Sequence, residues 1–126
     1  MTVLDASAVL TLIDDEPGAD VVADLLVGST IGAANVAEVM GGVVDRGGRP
    51  RDVRGLLAVA GVVIAPVTAD DAELAGAMRA LDGGRTLSLG DRLCLALAVR
   101  SDPPTVLTAD RAWAALPLPV DVQVLR

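Results

Sequence analysis

The chain has 126 residues, 52% of them hydrophobic, with a formal net charge of −7, one cysteine and no histidine. Its size suits one domain over 1–126, its apolar content excludes a disordered polymer, and its acidity excludes a nucleic-acid binder of the basic-patch kind. Without histidine or lysine there is no Ser-His-Asp or Cys-His nucleophile, no histidine-held zinc, no Schiff base and no P-loop lysine.

In chain order, Thr2 to Leu4 reads as a short strand ending at Asp5, followed by a helix from about Ser7 to Asp14. From Gly18, the spacing of Val21, Val22, Leu25 and Leu26 predicts another helix, and Ser29 to Ala33 a second strand. Val36, Val39, Met40, Val43 and Val44 line one face of an amphipathic helix that Gly47-Gly48 breaks. Pro50 suits the first turn of the next helix, which carries Val53, Leu56, Leu57 and Ala60. Val62 to Ala65 is a third strand closed by Pro66, and Leu74, Met78 and Leu81 mark a helix ending near Gly83-Gly84. Leu89 to Val99 is apolar nearly all round, which predicts a central, buried helix. Val106-Leu107 is a fourth strand and Val122 to Leu125 an edge strand. Strands alternating with helices make an α/β fold.

No membrane span is expected. The longest charge-free stretch, Gly55 to Ala69, contains Gly61 and Pro66 and falls short of the ~20 residues a spanning helix needs. The opening MTVLDASAVL lacks the basic region of a secretory signal, and a lone Cys94 suits a reducing cytoplasm.

Four carboxylates stand at element junctions. In open parallel sheets, ligands bind beyond the carboxyl ends of the strands. Asp5 ends the first strand, Asp110 follows the fourth, and Glu38 and Asp91 fall in the first turns of the two strongest helices. If both helices start at one sheet edge, the four acids converge, and their repulsion favours a divalent cation with oxygen ligands, Mg²⁺ or Mn²⁺. Each acid also has a plainer use. Asn35 with Glu38, and Ser88 with Asp91, fit helix capping boxes, as do Thr68 and Asp71, where nothing else suggests chemistry. Asp5 also suits a turn or a cap, and Asp110 a cap for the Arg111-Ala112-Trp113 turn.

The segments VLDASAVL, AANVAEVM, LSLGDRLCLALA and VLTADRAW, in this order, closely resemble PIN-domain ribonucleases, and above all VapC-type toxins of type II toxin–antitoxin systems. The resemblance implies a three-layer α/β/α sandwich with a mostly parallel sheet of four to five strands. It further implies an endoribonuclease that hydrolyses single-stranded or loop RNA, tRNA or rRNA, at a Mg²⁺ or Mn²⁺ site, leaving 5′-phosphate and 3′-hydroxyl ends. Asp5, Glu38, Asp91 and Asp110 become the catalytic, metal-holding acids, with Ser7, Asn35 and Thr108 orienting them. A VapB-like antitoxin would cover the region of Val36 to Val44 with Leu56 and Leu57, other helices forming a homodimer, and a heterotetramer or larger complex would follow.

Arg46, Arg49, Arg51 and Arg54 form the one basic cluster, suited to RNA phosphates or an acidic partner segment, or simply to a solvated helix junction. Arg92 could pair with a site carboxylate or a phosphate. Cys94 and Trp113 read as packing residues, and Asp14-Asp15-Glu16 as a solvated helix end. Two other functions fit some of these residues. One is a non-catalytic PIN module that binds RNA or protein. The other is an aspartyl-phosphate phosphotransfer domain with Asp5 as nucleophile, which the missing lysine and Ser7 in place of a second acid disfavour.

Overall fold

A computed structural model describes all residues from Met1 to Arg126. Five short strands form one wholly parallel sheet: β1 (Val3–Leu4), β2 (Thr30–Gly32), β3 (Val63–Ala65), β4 (Thr105–Thr108) and β5 (Asp121–Val124). Their spatial order is β3-β2-β1-β4-β5. Six helices connect them: α1 (Ala6–Ile13), α2 (Ala19–Leu25), α3 (Ala33–Asp45), α4 (Pro50–Val59), α5 (Ala69–Ala77) and α6 (Leu89–Val99).

Strands buried on both faces read as unbroken apolar runs, which is why Thr2 to Leu4 shows no alternation. Leu4 points into a core built with α1, α2, α3 and α4, whereas Val3 points into a core with α6 and Trp113. Both residues are wholly buried. The sheet is thus sandwiched between two helical layers, as the resemblance implies. No helix is long and apolar enough to cross a membrane.

The predicted elements are all present, with changed ends. Helix α5 stops at Ala77, and two 3₁₀ turns, Met78–Ala80 and Gly84–Thr86, take over the stretch to Leu87. The larger correction concerns α3. It begins at Ala33, directly after β2, so Glu38 lies in its second turn, not its first. Asn35 is therefore inside the helix and is not its cap.

Topology places the site. The strand order reverses between β1 and β4, so the crevice beyond their carboxyl ends is the switch point. Asp5 leaves β1 there, and Ala109 and Asp110 leave β4 there. Helix α3 departs from the carboxyl end of β2. Helix α6 returns to the start of β4, so its own first turn lies at that same edge and packs on α3. Both helices therefore start at one sheet edge, as the expectation required, though this alone does not bring the four carboxylates together.

Candidate active site

Asp5 is 5% exposed and is held at three points. Its Oδ1 accepts the Ala6 N–H at 2.9 Å, capping α1. Its Oδ2 accepts the Ser7 hydroxyl at 2.6 Å and the Thr108 hydroxyl at 2.9 Å. The same two hydroxyls accept backbone N–H groups of the β4 exit, Ala109 to Ser7 Oγ and Asp110 to Thr108 Oγ1, both at 3.0 Å. Ser7 and Thr108 thus orient the carboxylate and tie β1 to β4.

Glu38 reaches over the first turn of α6. Asn35 Nδ2 donates to Glu38 Oε1 at 2.7 Å and to the Gly90 carbonyl at 3.0 Å, joining α3 to α6. Asn35 is itself buried, and its Oδ1 has no hydrogen-bond partner. Asp91 closes a complete capping box: its Oδ2 accepts the Ser88 N–H at 2.9 Å, and Ser88 Oγ accepts the Asp91 N–H at 3.1 Å. A cap and a site acid are compatible here, because Asp91 Oδ1 carries no hydrogen bond.

Electrostatics ties three of the acids together. Burial raises the Asp5 pKa, and the negative charge of Asp91 adds to it, against the lowering hydrogen bonds of Ser7, Thr108 and Ala6. Glu38 is also raised, first by desolvation and then by the charges of Asp5 and Asp91, with the Asn35 hydrogen bond opposing. Glu38 as a residue is exposed, but its carboxyl lies against α6, where water is displaced. Beneath the three acids, the Cys94 thiol is pushed well up by burial and by the charges of Asp5, Glu38 and Asp91, so it stays a neutral core group.

Asp110 stands apart. It is exposed, and its Oδ1 accepts the Ala112 N–H at 3.0 Å to cap the 3₁₀ turn Arg111–Ala115, the plainer of its two expected uses. Arg92 also turns away from the acids: its Nη1 donates to the Ala75 carbonyl at 2.9 Å, fastening α6 to α5. Of the arginine cluster, Arg46 pairs with Asp14 at 2.6 Å and Arg49 with Asp52 at 3.5 Å, while Arg51 and Arg54 are exposed. The acidic end of α1 is therefore only partly free: Asp14 is paired with Arg46, and Glu16 with Arg126 at 2.9 Å.

The side chains as placed gather no three acidic groups into a ready metal cage. Their chemistry nonetheless suits a hard dication: every donor is oxygen, and Glu38 Oε2 and Asp91 Oδ1 are uncommitted. The two cavities of the structure lie elsewhere, and none of these acids lines either. One of about 360 Å³ is lined by Ala33, Val36, Met40, Arg54 and Ile64, between α3, α4 and β3. Sequence reasoning missed Gly90. A glycine inside a helical pattern was the available signal.

Residues 2–118 match the family model of the PIN domain. No curated protein matches the chain. Among solved structures, it resembles a toxin–antitoxin complex from Klebsiella pneumoniae with a TM-score of 0.73 and 21% identity, covering 96% of this chain and 99% of that one. It also resembles VapBC2 from Rickettsia felis bound to a fragment of its promoter DNA, with a TM-score of 0.69, 15% identity and coverage of 99% and 98%. DNA-bound VapBC from Salmonella typhimurium follows at a TM-score of 0.70 and 14% identity, each chain covered over 100%.

Proposed function

The chain belongs to the PIN-domain family, and from that premise we propose that it is a Mg²⁺- or Mn²⁺-dependent endoribonuclease, the toxin of a type II toxin–antitoxin pair. The observation that supports this reading is electrostatic and topological: Asp5, Glu38 and Asp91 stand on elements that meet at one sheet edge, where Asp5 feels the charge of Asp91 and Glu38 feels the charges of Asp5 and Asp91. Residues 1–126 act as one nuclease unit in the cytoplasm, on single-stranded or loop RNA.

Asp5, Glu38 and Asp91 would hold the cation, and Asp110 completes the acid set from the outer rim. When bound, such a cation supplies the positive charge that balances the acids and acidifies water for phosphodiester hydrolysis. Ser7 and Thr108 favour the ionised form of Asp5 against the effect of burial and aim it, since each donates to its Oδ2. Asn35 keeps Glu38 beside the first turn of α6. No side-chain base is required, which agrees with a chain lacking histidine. Arg51 and Arg54 are both exposed, Arg54 lining the cavity, and are the cluster members open to an RNA phosphate or an acidic partner segment.

The antitoxin is the partner to expect, because the three structural relatives are toxin–antitoxin complexes or VapBC assemblies. The cavity along Val36 and Met40 offers apolar anchorage for such a segment, in the region where the family resemblance implies it.

The test is direct. Partner-free protein should cut a structured RNA at an accessible loop with Mg²⁺ or Mn²⁺, and cutting should stop in EDTA. Cleavage that persists in EDTA overturns the mechanism. One observation favours a second reading, a PIN module that binds RNA without cutting it: the acids form no preassembled cage. In that case the RNA is retained intact in the presence of Mn²⁺. The phosphotransfer alternative fares worse, since the chain has no lysine and Ser7 stands where a second acid would be needed.

A further inference from the structure

Gly90 occupies the second position of α6, between Leu89 and Asp91. Its backbone is not left-handed, so conformation does not demand glycine there. Glycine within a helix is a net cost against alanine, which calls for another reason. The space around it supplies one. A Cβ at Gly90 would lie 2.5 Å from Cδ and Oε1 of Glu38 and 2.6 Å from Oε2. Other α-helical glycines differ: Gly41, Gly55 and Gly76 have nothing within 4 Å of a Cβ, and at Gly42 the nearest atoms, on Arg46 and Leu10, are 3.1 Å away. The obstacle at Gly90 is the end of a flexible side chain, so alanine would displace the carboxylate and leave the helix standing.

Three contacts then form one clamp. Gly90 leaves the room that the Glu38 carboxylate fills, its carbonyl accepts Asn35 Nδ2, and the same Nδ2 donates to Glu38 Oε1. We infer that Gly90 is a positioning residue for the active site: its missing side chain sets where the Glu38 carboxylate stands relative to Asp91. The inference deepens the proposed nuclease function and rests on that reading for its consequence in cation binding.

The experiment uses the full chain, freed of partner, as wild type, Gly90→Ala, Glu38→Asp and the double variant. Mn²⁺ binding is read from the free-ion EPR signal, and folding from thermal melts in EDTA. The side-chain amide resonance of Asn35 is followed by NMR in the metal-free protein. Gly90→Ala should melt no lower than wild type, move the Asn35 amide signal and weaken Mn²⁺ binding at least tenfold. Glu38→Asp shortens the acid by one methylene, so in the double variant it should clear the new methyl group and restore at least a third of the lost affinity.

Unchanged Mn²⁺ affinity in Gly90→Ala, or an unmoved Asn35 signal, overturns the inference. So does a loss that Glu38→Asp fails to relieve, because the effect would then not run through that carboxylate. If wild type itself binds no Mn²⁺, the nuclease reading falls, and the Asn35 signal alone still decides whether Gly90 places Glu38.

Discussion

Thr108 Oγ1 donates a 2.9 Å hydrogen bond to Asp5 Oδ2 while accepting the Asp110 N–H at 3.0 Å. One wholly buried hydroxyl therefore serves the acid that leaves β1 and the backbone that leaves β4. The strand junction and the Asp5 carboxylate thus share a support, alongside the parallel one from Ser7, so the proposed cation site is coupled to stability there.

Thr108→Val keeps the side-chain shape and removes both bonds. It leaves the buried Asp5 oxygen with only Ser7 and the Asp110 N–H with no acceptor. The cost should be about 1–3 kcal/mol in urea unfolding, together with weaker Mn²⁺ binding. A variant as stable as wild type would show that the hydroxyl bridge contributes nothing.

Asp91→Asn separates the cap from the charge. An asparagine oxygen can still accept the Ser88 N–H, so α6 stays capped and the loss of stability should remain under about 2 kcal/mol. RNA cleavage should fall by more than the roughly 100-fold that accompanies loss of an outer partner of a metal ligand. Cleavage at the original rate rejects Asp91 as a site residue.

Mn²⁺ should stabilise the fold, because the acids repel one another without it. At a hundredfold excess over Kd, the gain is about 2.7 kcal/mol, read as a rise in Tm that EDTA reverses. Asp5 and Glu38 titrate above their ordinary values of 3.8 and 4.5 in the metal-free fold. Each destabilises that fold when ionised, and the penalty vanishes as pH falls through the folded pKa toward the ordinary value. The Mn²⁺ effect on Tm should therefore shrink on acidification, and a Tm indifferent to Mn²⁺ at neutral pH contradicts the site.

Asp71 behaves in the opposite sense. Burial alone would raise its pKa, but hydrogen bonds from Arg100 and from Thr68, with the guanidinium charge, hold it below 3.8. Arg100 grips both carboxylate oxygens, Nε to Oδ1 at 2.8 Å and Nη2 to Oδ2 at 3.0 Å, and so locks the start of α5 to the end of α6. This contribution is complete above pH 3.8 and is lost as pH falls through the lower, folded value. Arg100→Gln should cost about 1–2 kcal/mol at neutral pH, discounted because the Arg100 side chain is 42% exposed. Chemical denaturation across pH should show the gap to wild type closing below pH 3.8. A gap that is constant with pH excludes the ion pair as its source.

Much of this molecule is legible in its order of residues. Apolar runs such as Val3-Leu4 and Val106-Leu107 mark parallel strands because both of their faces are buried, and Ser88 with Asp91 marks the start of α6 because capping uses neighbours only three positions apart. Both signals are local. Helix periodicity names a face and not a first residue, which is why Asn35 read as a cap although α3 starts straight from β2.

Contacts between distant segments were settled by how the layers pack. Arg92 turns to Ala75 instead of the acids, Asp110 caps the turn after β4, and Asn35 spans α3 and α6 to hold Glu38 beside Gly90. Side chains choose among several rotamers according to neighbours that only the folded chain brings near, and no spacing along a linear polymer records which neighbour wins.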